Sequence, residues 1–292
     1  MVVVTLLACP KRADLTEARV AAAARRWGGG EARWLAPGLA AEFDLADRPR
    51  DAAEAGRALR AEGFDLAIQP ARGRDKRLLI ADMDSTMIGQ ECIDELAAEA
   101  GIGPRVADIT TRAMNGELNF EEALRERVAL LKGLPDAVIG RVLAGRITEA
   151  PGAATLVATM RARGAHTLLV SGGFTAFSGP VARRLGFDEH RANRLLAEDG
   201  RLSGQVAEPI LGREAKVAAL HEVSARLGLT PADAIAVGDG ANDLGMLRLA
   251  GTGVALHAKP AVAAEADIRL DHADLTGLLY LQGIPARAFA GG

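Results

Sequence analysis

Residues 78–86 read Leu-Leu-Ile-Ala-Asp-Met-Asp-Ser-Thr, an apolar run that ends in two carboxylates two positions apart. Such a run predicts a short buried strand, and the change to small polar residues marks its carboxyl end. In open α/β folds, ligands bind in the crevice outside that edge. Asp82 and Asp84 therefore stand where carboxylate oxygens can hold a hard cation such as Mg²⁺, or where one of them can attack phosphorus.

Composition narrows the class of protein. The chain has 292 residues, of which 49% are hydrophobic and 25% charged, and such values are typical of soluble globular proteins of one or two domains. The net charge of −3, with no basic stripe, argues against nucleic acid as a partner. No apolar run reaches the ~18 residues that span a membrane. Two cysteines, Cys9 and Cys92, lack metal-type spacing and favour a reduced, cytoplasmic setting.

Residues 1–72 predict a separate α+β unit. The order of its elements is β-α-β-β-α-β, which is typical of a ferredoxin-like split unit. Asp14 is a candidate N-cap for the first helix, and the polar stretch 71–77 is a candidate linker. The predicted elements are the strands Val2–Ala8 and Phe64–Gln69, two strands within 31–47 around Pro37-Gly38, and the helices Leu15–Trp27 and Asp51–Ala61.

From residue 77 to about 285 the pattern predicts a second domain. Short apolar strands alternate with helices, which favours a parallel, Rossmann-like sheet covered on both faces. Residues of about 88–150 are almost wholly helical and predict a cap inserted after the first strand, above Asp82. The predicted strands are Leu78–Ala81, His166–Val170, Ala234–Val237, Gly253–Ala255 and Ile268–Leu270, and the cap helices are Cys92–Glu99, Val106–Met114, Phe120–Leu131 and Pro135–Leu143.

A second acidic strand end follows Ala234–Val237, in the sequence Gly238-Asp-Gly-Ala-Asn-Asp243. Asp239 and Asp243 are four residues apart, so one helical turn puts both on the same side. The alternative is an ordinary Asp-Gly turn with a capping residue. Together with the first acidic strand end, this one favours a cation site built from oxygens.

Two further features fit phosphoryl transfer, which depends on positioning and charge neutralisation. Ser171-Gly172-Gly173 follows a predicted strand, where a hydroxyl and backbone amides can bind phosphate oxygens; a plain helix cap is the alternative. Lys216 lies in a predicted helix that begins near Gly212. By itself it is typical of a solvated lysine, and it gains significance only if the fold places it in the cleft.

The four motifs, in this order along residues 77–285, resemble the haloacid-dehalogenase-like superfamily of phosphotransferases, and within it the phosphoserine phosphatase family. The resemblance implies that Asp82 is the nucleophile and Asp84 the general acid/base. It implies that Lys216 neutralises charge, and that Ser171 and the Gly172 amide bind phosphate. The implied Mg²⁺ ligands are Asp82, the backbone carbonyl of Asp84 and Asp239, with Asp243 in support nearby.

The predicted cap carries the substrate residues that the resemblance implies. Glu91 corresponds to the glutamate that meets the substrate ammonium, and Arg127 to the arginine that binds its carboxylate. A bidentate arginine suits a carboxylate. Without the resemblance, both residues are typical of a solvated helix face. The remaining implied contacts are Asn242, with Met114 and Phe120 shielding the site.

The expected activity is therefore Mg²⁺-dependent hydrolysis of O-phospho-L-serine through an aspartyl-phosphate, the last step of serine biosynthesis. One alternative is a phosphatase of the same superfamily for another small phosphomonoester. Another is an amino-acid-sensing regulatory protein, because residues 1–72 resemble ACT-type domains in their element order. A homodimer formed through this unit is compatible with that interpretation.

Overall fold

The computed structural model describes residues 1–114 and 117–291. The strands are β1 Val2–Ala8, β2 Arg33–Ala36, β3 Ala40–Leu45, β4 Phe64–Pro70, β5 Leu78–Ala81, β6 His166–Phe174, β7 Glu189–Asn193, β8 Leu195–Glu198, β9 Arg201–Val206, β10 Ala234–Gly238, β11 Thr252–Leu256 and β12 Ile268–Leu270. The α-helices are α1 Glu17–Trp27, α2 Ala52–Ala61, α3 Cys92–Glu99, α4 Gly103–Met114, α5 Phe120–Ala129, α6 Val138–Gly145, α7 Ala153–Ala162, α8 Thr175–Leu185, α9 Arg213–Arg226, α10 Leu244–Leu249, α11 Pro260–Glu265 and α12 Gly277–Leu281.

The N-terminal residues form the predicted β-α-β-β-α-β series, and its four strands make one antiparallel sheet in the order β2-β3-β1-β4. Apolar residues of α1 and α2 cover one face of this sheet, with Val4, Leu6 and Phe43 in the interior. The relation of this unit to ACT-type domains, and a homodimer formed through it, stay predictions.

The N-cap of the first helix differs from the prediction. Helix α1 begins at Glu17 rather than at Leu15, and the hydroxyl of Thr16 accepts a 3.3 Å hydrogen bond from the amide of Arg19. Asp14 instead pairs with Arg12 at 2.6 Å. Leu15 is buried in an antiparallel bridge to Gly38. The chain is therefore still extended at that point, and the cap shifts to the next polar residue.

A six-stranded parallel sheet forms the larger body, in the order β12-β11-β10-β5-β6-β7. Strand β5 lies in the middle, so its carboxyl end has those of β10 and β6 on either side. Strand β6 runs on to Phe174, four residues past the predicted Val170, because Phe174 still pairs with Asn193 across an irregular register. Helix α7, which was not predicted from the sequence, covers this sheet.

Among the described residues, none of the helices combines the length and the apolar character that a membrane span requires.

The helices α3–α6 stand between β5 and β6 as the predicted cap. The segment that enters the cap is hydrogen-bonded to the segment that leaves it. Gly89 N donates to Thr148 O at 3.0 Å, and Ala150 N donates to Met87 O at 3.0 Å. The β8–β9 hairpin, predicted from the Glu198–Arg201 turn, joins the cap through the bond from Gly133 N to Leu202 O. The entry and exit of the cap thus lie directly beyond Asp82 and Asp84.

The polar stretch 71–77 is held against the larger body. Arg74 donates to the carbonyl of Leu281, on α12 of the larger body, at 2.8 Å, and to Glu42, on β3 of the N-terminal unit, at 2.5 Å. Lys76 is buried and donates to the carbonyl of Ala232 at 2.7 Å. Leu7 of β1 also belongs to the same apolar core as the large sheet. The predicted linker is therefore a fixed junction, and the two units share buried surface.

Candidate active site

Three carboxylates meet at the carboxyl edge of the parallel sheet. Asp82 follows β5, while Asp239 and Asp243 follow β10, and one oxygen from each lies within 4.8 Å of the others. All three side chains are buried. Close-set carboxylates in a dry site repel one another unless cations compensate them, and oxygen ligands of this kind suit a hard divalent ion. The donor set therefore fits Mg²⁺.

Lys216, on α9, supplies one of the compensating charges. Its side chain is 2% exposed, and its ammonium donates to Asp82 Oδ1 and, at 2.6 Å, to Asp243 Oδ1. Burial alone would lower the pKa of Lys216, but the two carboxylates raise it above its ordinary value. Burial and the charge of Asp243 raise the pKa of Asp82, against the opposing effect of Lys216. The lysine is therefore a fixed positive charge.

Asp243 organises the turn that carries Asp239. Its second oxygen, Oδ2, accepts the amide of Gly240 at 2.9 Å. A Cβ at residue 238 would lie 2.4 Å from the Asp243 carboxyl carbon, so only glycine allows this approach. Both oxygens of Asp243 are thus already hydrogen-bonded, and its supporting role at a metal site stays a prediction.

Asp84 is held in a fixed orientation beside the Ser171 turn. Its Oδ2 accepts the Ser171 hydroxyl at 2.9 Å, and its Oδ1 accepts the amide of Cys92 at 2.8 Å. The amide of Gly173 donates to the Ser171 oxygen at 2.8 Å. A Cβ on Gly173 would lie 2.9 Å from Asp84 Oδ2 and 3.0 Å from the Ser171 oxygen. The glycine thus allows the serine and the carboxylate to meet.

Asp239 has a polar neighbour on each of its oxygens. The hydroxyl of Thr86 donates to Oδ1 at 3.1 Å, and the ammonium of Lys259 lies 3.8 Å from Oδ2. Burial raises the pKa of Asp239, while Lys259 opposes that rise. Lys259 was not predicted. It follows β11, the strand next to β10, and residues just after parallel strands face the ligand crevice, which is the sequence signal for this position.

A cavity of about 440 Å³ opens above these residues. Of the residues predicted to bind substrate, Asn242 lines it from the sheet, and Glu91, Phe120 and Arg127 line it from the cap. Met114 ends helix α4, but its side chain lies outside the described residues. Ser171 and Lys216 lie beneath the cavity floor, where they contact Asp84 and Asp82. The other lining residues are Asp82, Asp84, Ile93, Thr110, Leu118, Leu124, Gly172, Gly173, Phe174, Arg213, Asp239, Gly240, Ala241 and Lys259.

The cap side of the cavity carries opposite charges. Glu91 accepts the hydroxyl of Ser85 at 2.9 Å, and burial and the charge of Asp84 raise its pKa. Arg127 donates to the carbonyl of Ala123 at 3.2 Å, and no carboxylate of the described residues lies within 4 Å of it. Burial lowers its pKa, against the charges of nearby carboxylates. An anionic group entering the cavity would offset the cost of burying that charge.

Phe120 lines the cavity between cap and sheet and keeps 37% of its surface exposed. A Cβ on Gly172 would lie 3.2 Å from its ring, and a Cβ on Gly212 would lie 3.5 Å from it. The ring therefore sits against two glycines, one in the Ser171 turn and one just before α9. Its role in shielding the site stays a prediction.

Two more residues at the site escaped the sequence analysis. Arg213 lines the cavity three residues before Lys216, at the exposed start of α9. Asn193 is 2% exposed at the end of β7 and bridges two segments. Its Nδ2 donates to the carbonyls of Gly172 at 2.9 Å and Leu211 at 3.2 Å, and its Oδ1 accepts the amide of Leu211 at 2.7 Å. It ties the Ser171 turn to the segment leading into the Lys216 helix.

The fold and the site define a class of hydrolase. A model of the haloacid dehalogenase-like hydrolases matches residues 79–248, and the chain belongs to that family. A solved member from Salmonella enterica serovar Typhi superposes with a TM-score of 0.85 at 29% identity, over 96% of this chain and 98% of its own.

More specific relatives are phosphoserine phosphatases. The enzyme of that name from Archaeoglobus fulgidus is 41% identical over 254 residues, which span 85% of this chain and 74% of the relative. A Vibrio cholerae structure described as a probable phosphoserine phosphatase, in its unliganded form, has a TM-score of 0.79 at 32% identity. That match covers 98% of this chain and 88% of the other, so it includes the N-terminal unit.

Replacement of Asn193 by aspartate tests the bridge. The carboxylate would face two carbonyl oxygens where the amide now donates, so we expect the free energy of unfolding to fall by about 2–3 kcal/mol. Ser203→Ala removes one half-buried hydroxyl bond, to Leu196 O at 3.0 Å, and is expected to cost about 1 kcal/mol. Urea unfolding measures both. Equal losses would contradict a bridging role for Asn193.

Proposed function

We propose that this protein hydrolyses O-phospho-L-serine to L-serine and phosphate, with Mg²⁺ as cofactor and through an aspartyl-phosphate. The observation that carries the proposal is the pairing of the Asp82 carboxylate with the buried Lys216, below a cavity that Glu91 and Arg127 line from the cap. The first pair suits an attack on phosphorus, and the second suits a zwitterionic amino acid. The phosphoserine phosphatase relatives support the same substrate.

Asp82 is the proposed nucleophile. Lys216 holds its Oδ1, whereas Oδ2 makes no hydrogen bond within the described part of the chain and Asp82 lines the cavity. The held oxygen fixes the carboxylate, and the other oxygen forms the bond to phosphorus as the serine oxygen leaves. The lysine charge offsets the negative charge that the phosphoryl group brings to the site.

Asp84 is the proposed general acid and base. Its hydrogen bonds with Ser171 and the Cys92 amide fix the carboxyl group beside the Ser171 turn. In the first step, Asp84 gives a proton to the departing serine oxygen. In the second, it takes a proton from the water that attacks phosphorus, which releases phosphate and restores Asp82.

The proposed metal ligands are Asp82, Asp239 and the backbone carbonyl of Asp84, with Asp243 in support. When bound, Mg²⁺ supplies positive charge close to the phosphoryl oxygens. The hydroxyl of Ser171 and the amide of Gly172 are proposed to bind phosphate oxygens.

Substrate selection is proposed to rest on the cap. Glu91 would accept the substrate ammonium and Arg127 would bind its carboxylate, with Asn242 completing the polar contacts. Phe120, together with Met114 in the predicted arrangement, would exclude water. Glu91 immediately precedes α3 and Arg127 lies on α5, so both charges proposed to read the amino acid belong to the cap.

Metal dependence tests the function directly. Purified protein should release phosphate from O-phospho-L-serine with Mg²⁺, and excess EDTA should abolish the release because the acidic cluster then lacks its cation. A malachite-green assay measures phosphate, and restoration by added Mg²⁺ is the control. Phosphate release that persists in EDTA, or no release at all, would contradict the proposal.

Asp82→Asn tests the nucleophile. The carboxamide keeps the shape of the side chain but cannot form the aspartyl-phosphate, so we expect turnover to fall by about 1,000-fold or more. The carboxamide oxygen can still accept a hydrogen bond from Lys216, so we expect the fold to stay intact. Circular dichroism checks the fold. Turnover near that of the unaltered protein would rule out this residue as the nucleophile.

Arg127→Ala tests the substrate. Loss of a charged hydrogen bond to the carboxylate predicts a fall in kcat/KM for O-phospho-L-serine of about 10- to 100-fold. O-phosphoethanolamine lacks the carboxylate and should lose far less. Arg125→Ala is a matched control on the same helix, since Arg125 is exposed and pairs with Glu121 and Glu208. Equal losses on both substrates would favour another phosphomonoester.

A further inference from the structure

A buried carboxylate of the N-terminal unit holds a loop of the phosphatase sheet. Asp65, on β4, is 0% exposed. Its oxygens accept the consecutive amides of Asp271 at 2.9 Å, His272 at 2.9 Å and Ala273 at 2.8 Å, just after β12. Three backbone donors on one buried carboxylate make a rigid attachment, because removing it would leave those amides unpaired.

The same loop is bonded to the end of the neighbouring strand. Nε2 of His257 donates to the carbonyl of Ala273 at 2.9 Å, and the His257 amide donates to Leu270 O at 2.8 Å. His257 has φ of +46°, in the left-handed region that non-glycine residues seldom occupy. A conformation of this kind persists when surrounding bonds enforce it, and here the bond to Ala273 is one of them.

His257 stands two residues before Lys259, which contacts the acidic cluster. The amide of Lys259 donates to the backbone carbonyl of Asp239 at 3.1 Å, and its ammonium lies 3.8 Å from the Asp239 carboxylate. The backbone turn at 257–259 therefore fixes both the main chain and the charge around one of the proposed metal ligands.

We propose that Asp65 and His257 are positioning residues for the metal site. Asp65 fixes the 271–273 loop, the loop fixes His257, and the 257–259 turn holds Asp239 in the orientation that binds the cation. The inference rests on the proposed function, because it assigns Asp239 to the cation. Through this series of bonds the N-terminal unit would contribute to Mg²⁺ affinity, in addition to covering apolar surface of the larger body.

The position of the attachment distinguishes this role from general stabilisation. Gln69, also on β4, is buried and donates to the carbonyl of Leu281 at 2.6 Å. That bond joins the same two units, but it ends on α12 rather than on the loop that contacts His257. Loss of the Gln69 bond weakens the junction without disturbing the 257–259 turn, so it provides a matched control.

The experiment compares Asp65→Asn, His257→Ala and Gln69→Leu in the full chain. Mg²⁺ alone is titrated, and its dissociation constant is obtained from the rise in melting temperature with concentration. Removal of a residue that contacts a metal ligand commonly weakens metal binding by about 10- to 100-fold. Asp65 and His257 lie farther from the cation than such residues, so we expect Asp65→Asn and His257→Ala to weaken Mg²⁺ binding by about 3- to 10-fold. Gln69→Leu should stay within about 2-fold of the unaltered protein, whatever its effect on stability.

The double variant Asp65→Asn, His257→Ala should bind Mg²⁺ about as weakly as either single variant, because both residues act through one set of bonds. Unchanged Mg²⁺ affinity in both single variants, equal weakening by Gln69→Leu, or additive losses would overturn the inference. If Asp65→Asn does not fold, His257→Ala, at the exposed end of β11, decides it. Failure of the unaltered protein to hydrolyse O-phospho-L-serine would instead count against the proposed function.

Discussion

The buried ion pair between Lys216 and the carboxylates of Asp82 and Asp243 is the interaction on which the rest of the site depends. Removing three charges from water costs several kcal/mol per ion unless close attraction and hydrogen bonds between them offset that cost. Here the ammonium contacts both carboxylates at once. Asp239 is left with Lys259 as an ion-pair partner at 3.8 Å within the described residues. The three carboxylates of the cluster therefore outnumber the two lysines, and a divalent cation would reverse that balance in favour of an anionic phosphoryl group.

That arrangement constrains the backbone around it. Glycine at 173 lets Ser171 meet Asp84, and glycine at 238 lets Asp243 fold back beneath its own strand. The cap adds the second requirement, since it brings Glu91 and Arg127 to the same cavity from a different part of the chain. The residues suited to phosphoryl transfer thus lie at the edge of the sheet, and those suited to substrate selection lie in the cap. Phe120 lies between the two groups.

The N-terminal unit is attached to the sheet that carries the site through hydrogen bonds of Asp65. Its β-α-β-β-α-β order was predicted from turn residues and alternating apolar segments, which are local signals. Its attachment through Asp65 was not predictable, because an aspartate in the segment Phe64–Gln69 gives no sign of accepting amides some 200 residues later in the chain. For the same reason, 71–77 was interpreted as a linker, although Arg74 and Lys76 are held against the larger body.

The sequence by itself determined the strands that end in Asp82 and Asp239, the helical segment between them, and the chemical character of the motifs, because each depends on residues close together in the chain. Tertiary structure decided which of those groups touch. It placed Lys216 between two carboxylates, brought Lys259 and Arg213 to the cavity, and joined the Ser171 turn to the start of α9 through Asn193. These contacts depend on strand order and sheet register, in which β5 lies between β10 and β6, and no local pattern in the sequence encodes them.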